Sequence, residues 1–180
     1  MSFVETATLN PSVTADDHVL GPATAPVTLV EYGDYECSYC GQAAAIVEEV
    51  RRRLGDELRF VFRNFPLTQV HPHAERAAEA AEAAGSQGKF WEMHDVLYGH
   101  QDALADADLV GYAQRLGLDV DRFTADLANG TAAGRVREDF RSGVQSGVNG
   151  TPTFFINGRR HDESWDLESL LAAIEQAAAG

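Results

Sequence analysis

Strand-forming runs occupy only the two ends of this chain, and a helical stretch of roughly 75 residues separates them. Val27-Thr28-Leu29-Val30-Glu31-Tyr32 is a β-branched and aromatic run that ends at Gly33-Asp34, short enough for a central strand. A helix is expected from near Ser38 to Leu54, with Ile46, Val47, Val50 and Leu54 on one face and Gly55 as its stop. Leu58 to Phe62 reads as a second strand. Strand, helix and strand with short links form a βαβ unit, in which the strands run parallel and the crossover is right-handed.

From Ala74 to about Gly147 the pattern is helical throughout. Expected helices cover His73–Ala84, Lys89–Tyr98, Asp106–Leu116, Asp121–Ala128 and Thr131 to about Val144. Sheet character returns at Thr153-Phe154-Phe155-Ile156. Asn157-Gly158 then turns the chain into Arg159-Arg160-His161, so these two strands are antiparallel. Asp166 caps a last helix from Leu167 to about Ala178. Everything before Asp17 reads as a polar tail.

The chain has 180 residues and a formal net charge of −14. Such a surface repels phosphate backbones and anionic headgroups, so no nucleic acid and no membrane is expected as a partner. No stretch reaches the roughly 20 apolar residues that span a bilayer. Met1 to Asp17 lacks the basic start and apolar core of a signal peptide, which favours the cytoplasm, or an extracytoplasmic site if an export signal has been removed.

Cys37 and Cys40 are the only cysteines. They stand where a strand has just ended and a helix begins, in Tyr35-Glu36-Cys37-Ser38-Tyr39-Cys40-Gly41. Unpaired N–H groups at a helix start favour an anion, so an exposed Cys37 has its thiolate stabilised and Cys40, inside the first turn, is the more buried partner. A disulfide across this turn opens and closes easily, as dithiol exchange requires. Two other uses of the pair stay open on the residues alone. One is a structural disulfide, worth only about 2 kcal/mol for so short a loop. The other is a zinc site completed by His71 and His73.

Thr151-Pro152 opens the third strand, and from these residues alone a trans bond is expected. The segment Tyr35 to Gly41, the run Gly150-Thr151-Pro152-Thr153-Phe154-Phe155-Ile156-Asn157-Gly158 and the helical block between them resemble the DsbA family of thiol-disulfide oxidoreductases. The resemblance covers roughly residues 18–178. It implies an α/β, thioredoxin-like fold of β-α-β, inserted helical block and β-β-α, divided as 1–66 with 149–180 against 67–148. It also implies that Cys37 is the nucleophile, Cys40 the resolving thiol and Pro152 a cis-proline beside them, with Thr151 offering backbone groups to a substrate peptide. Tyr39 is the third substrate-binding candidate. Glu31 falls where the family often has a buried acid that relays the proton of Cys40, although its strand position also suits a solvent-facing residue.

Two departures from the resemblance bear on its strength. Strongly oxidising members carry His at the position of Tyr39, and Glu36 adds a negative charge, so a less oxidising couple is expected. Further along, Phe62-Arg63, His71-Pro72-His73-Ala74 and Phe90-Trp91-Glu92-Met93-His94-Asp95 resemble small DsbA-like proteins and soluble domains fused to some sodium/proton antiporters. The implied function is disulfide exchange with protein or peptide thiols, without metal or organic cofactor, and with a further redox partner that resets the dithiol. A redox-sensing or docking module is the alternative. Tyr35, Tyr39, Phe65 and Phe154 are expected to rim an apolar groove by the thiols, and His94 to be a packed core histidine.

Overall fold

The computed structural model describes residues 6–180. Its centre is a five-stranded sheet in the order β1-β3-β2-β4-β5. β2 (Val27–Gly33) and β3 (Leu58–Asn64) run parallel, joined by α1 (Ser38–Leu54) and one turn of 3-10 helix. β4 (Thr153–Ile156) pairs antiparallel with β2, and β5 (Arg159–His161) antiparallel with β4. Between β3 and β4 the chain forms α2 (Ala74–Gly85), α3 (Phe90–Gly99), α4 (Asp106–Arg115), α5 (Val120–Ala128) and α6 (Thr131–Gln145). α7 (Leu167–Ala179) closes the chain, with Asp166 capping it through the Ser169 N–H. Among the described residues no helix is long and apolar enough to cross a membrane.

Alternation along the strands sorts two cores onto the two faces of the sheet. Leu29, Phe60, Phe62, Phe154 and Ile156 pack with α1, α2, α3 and α7 on one side. Val30, Tyr32, Val61 and Phe155 pack with Leu9, Phe65 and Val148 on the other. Burying a side chain such as Phe62 or Phe154 contributes about 1.5–3 kcal/mol relative to leaving it exposed. Gly143 in α6 lets that helix press onto the second face, since a Cβ there would meet the Phe65 ring at 2.5 Å.

Of the expected tail before Asp17, residues 1–5 lie outside the described residues, and residues 6–16 pack against the sheet. Leu9 is buried and its N–H donates to the Gly158 carbonyl at 2.8 Å, and Thr8 bridges to Arg159 beside β5. Asp17 accepts two hydrogen bonds from Arg63, at 2.8 and 2.9 Å, with both side chains buried. β1 (His18–Leu20) then joins the sheet antiparallel to β3. A charge-assisted, bidentate pair of this kind holds polar residues against a sheet where apolar pattern is absent.

Candidate active site

β2 ends beside the first residue of β4, and α1 starts just beyond. Cys37 is the N-cap of α1, and Cys40 lies in its first turn. Both are buried, Cys37 at 5 % exposure and Cys40 at 0 %, which corrects the expectation of an exposed nucleophile. The cover is the turn before β4: in its protonated form the Cys37 thiol donates to the Thr151 carbonyl at 3.7 Å. The Thr151-Pro152 bond is cis, as the resemblance implies and the residues alone did not.

The two thiols are driven apart in acidity. Cys37 is lowered to about 5, chiefly by a hydrogen bond from the Cys40 thiol and further by the N–H groups of Cys40 and Tyr39 and the Thr151 hydroxyl, against the opposing effect of burial. Those two N–H groups are the second and third of the helix and open toward the cap position, without a full side-chain cap hydrogen bond. Cys40 is pushed strongly up by burial, by the neighbouring Cys37 sulfur and by Glu31. Thus one sulfur is an anion at neutral pH and the other keeps its proton.

Glu31 is buried, which excludes the solvent-facing alternative. Strand alternation puts it on the same face as Leu29, under α1, in register with Phe62 on one side and Phe154 on the other. Burial first, and the Cys37 charge second, push its carboxyl up to about 8. Its Oε1 has no hydrogen-bond partner.

The Glu36 carboxylate turns away from the dithiol. It accepts the His73 N–H at 2.6 Å and faces His73 Nδ1 at 3.1 Å, so it fastens the start of α2 and is not among the causes that set Cys37. The expected apolar rim is also largely absent: Tyr35, Phe65 and Phe154 are buried, and only Tyr39 is exposed. Tyr35 instead meets His94, its hydroxyl 2.9 Å from Nδ1. Burial holds His94 down at about 3, a neutral core histidine as expected.

Three positioning groups escaped the sequence reading. Gln101, after α3, donates from Nε2 to the carbonyls of Tyr35 at 2.9 Å and Cys37 at 2.8 Å, which ties the helical stretch to the nucleophile's loop. Gly41 leaves room for that side chain, because a Cβ there would collide with Gln101. Asp34 and His71 form the third contact, described below.

A family model described as Thioredoxin matches residues 13–176. The chain belongs to the thioredoxin family. This thioredoxin-family chain is 57% identical over 164 residues to "Na(+)/H(+) antiporter NhaA 1" of Salinispora arenicola, covering 91% of this chain and 25% of that protein. It is 56% identical over 165 residues to "Na(+)/H(+) antiporter NhaA 3" of Salinispora tropica, again 91% of this chain and 25% of the relative. The chain therefore spans about a quarter of the length of the curated relatives it matches. Among solved structures, a thioredoxin-like oxidoreductase from Silicibacter pomeroyi superposes with a TM-score of 0.82 at 27% identity, over 93% of this chain and 95% of that one. Oxidised BdbD from Bacillus subtilis gives a TM-score of 0.84 at 25% identity, over 98% and 100%. The thiol-disulfide exchange protein alpha-DsbA2 from Wolbachia pipientis shares the fold at 18% identity, TM-score 0.74, over 89% and 86%.

Proposed function

We propose that the protein exchanges disulfides with protein or peptide dithiols through Cys37 and Cys40. The observation that carries this reading is the split between two adjacent sulfurs, Cys37 lowered to about 5 and Cys40 raised, beneath the Thr151 carbonyl. A structural disulfide or a zinc site has no use for that asymmetry.

In the oxidised protein a substrate thiolate attacks Cys37 Sγ, the Cys37–Cys40 bond breaks, and Cys40 leaves with the electron pair. Glu31, protonated up to about pH 8, supplies the proton Cys40 takes up. A second substrate thiolate then attacks the substrate sulfur of the mixed disulfide and releases Cys37 as a stable thiolate, which makes it a good leaving group. In the opposite direction the Cys37 thiolate attacks a substrate disulfide and releases one substrate sulfur, which takes a proton from solvent; Glu31 in its ionised form then takes the proton of Cys40, Cys40 attacks Cys37 Sγ, and the second substrate sulfur departs. Thr151 offers its backbone to the substrate chain, with Pro152 and Tyr39 beside it. A second redox partner resets the pair, and the potential of the compartment sets the net direction.

A redox-sensing or docking module is the second reading, favoured by relatives in which the matched region is a quarter of a larger protein. Turnover of unrelated dithiol peptides separates the two. In the exchange assay Cys37→Ser abolishes the reaction, and Cys40→Ser accumulates a mixed disulfide on Cys37. Trapping on Cys40 instead would reverse the assignment.

A further inference from the structure

Asp34 is buried between the nucleophile's loop and the segment that follows β3, and its two carboxylate oxygens divide the work. Oδ1 accepts the N–H of Glu36 at 2.8 Å and the N–H of Cys37 at 3.2 Å. Oδ2 accepts the N–H of Leu67 at 2.9 Å and meets His71 Nδ1 at 2.8 Å. The Cys37 N–H is also shared with the Asp34 carbonyl, at 3.2 Å, which closes a turn directly ahead of α1. Beyond Leu67 the segment carries Val70, at 66 % exposure one of four large apolar side chains exposed among the described residues, and ends at His73, held by Glu36.

Only a carboxylate fits this place. An asparagine in the same pose keeps Oδ1 for Glu36 and Cys37, but presents an amide N–H to the N–H of Leu67, donor against donor. A buried donor without a partner is destabilising, so the segment is released while the turn survives. The two halves of the contact are therefore separable by a one-atom change.

We infer that Asp34, with His71, is a strut that holds Cys37 at the helix start with one oxygen and sets the substrate-facing segment 67–73 with the other. It is a positioning residue for the exchange reaction proposed above, on which this inference rests. Through Oδ1 it keeps the Cys37 sulfur under the N–H groups of Tyr39 and Cys40. Through Oδ2 and His71 it fixes the segment that carries the exposed Val70 against the loop of the nucleophile.

The test combines the pH profile of Cys37 alkylation by iodoacetamide in the reduced protein with KM and kcat for a dithiol peptide. Asp34→Ala raises the alkylation midpoint by at least about one pH unit, because the sulfur loses its N–H donors. Asp34→Asn leaves the midpoint in place and raises KM at least about threefold. His71→Ala does the same as Asp34→Asn. A fall of the midpoint in Asp34→Asn would show that Asp34 acts as a like charge and overturn the inference, as would an equal rise in Asn and Ala or an unchanged KM in both Asp34→Asn and His71→Ala. If Asp34→Ala does not fold, the other two variants still decide. Alkylation needs no turnover, so a wild type that alkylates with a low midpoint yet exchanges nothing refutes the proposed function without touching the role of Oδ1.

Discussion

Glu31→Gln turns the buried acid into a readable pH dependence. The carboxyl ionises near 4.5 in an unfolded chain and at about 8 in the folded one, a difference of about 3.5 pH units at about 1.4 kcal/mol each. A folded pKa raised in this way stabilises the protein fully below the unfolded value, and the contribution is lost as pH rises through the folded value. The wild type therefore loses stability between pH 5 and pH 8 relative to the glutamine variant, which mimics the neutral acid and cannot ionise. Integrating one proton over that window gives a widening gap of roughly 3.5 kcal/mol in favour of the variant. Urea unfolding of both reduced proteins at half-unit steps of pH measures it, and the titrating groups not coupled to Glu31 cancel in the difference. The same variant resolves mixed disulfides more slowly, since Cys40 has lost its proton acceptor. Parallel stability curves with a constant offset would refute the reasoning, because Glu31 would then be ionised throughout.

Thr151→Val removes the hydroxyl that faces the Cys37 anion. With that group gone the Cys37 midpoint rises, followed by thiolate absorbance against pH. Tyr39→His places an imidazolium by the thiolate, lowers the midpoint and makes the couple more oxidising by about 30 mV for each tenfold change in the exchange constant. Equilibration with glutathione reads the potential, and an unchanged or less oxidising couple sinks that argument.

How much of this was legible depended on the range of the forces involved. β2, α1, β4 and β5 start where pattern and turn residues place them, because alternation, the helix stop at Gly55 and Asn157-Gly158 are local signals. β1 was missed: three residues carry no period, and the strand exists because β3 offers an edge and Arg63 reaches back to Asp17. The thiols and Glu31 were legible from order and alternation. The exposure of Cys37 was not, since its cover comes from Thr151, far along the chain. Asp34, His71 and Gln101 left no mark for the same reason. Asp34 looked like the end of a strand and His71 like a zinc ligand, and only the tertiary contact joins them. Glu36 was misread because proximity in sequence to Cys37 does not fix where a flexible carboxylate points; His73 takes it.

The central claim is that folding separates the acidities of two neighbouring thiols. Thiolate absorbance of the reduced protein against pH, with Cys40→Ser and Cys37→Ser as references, tests it most directly. The account predicts one sulfur ionising with a midpoint near 5, lost in Cys37→Ser, and no second thiolate before the pH reaches well above the ordinary thiol range of about 8.5. A single midpoint near 8.5, or two thiolates appearing together, would contradict it.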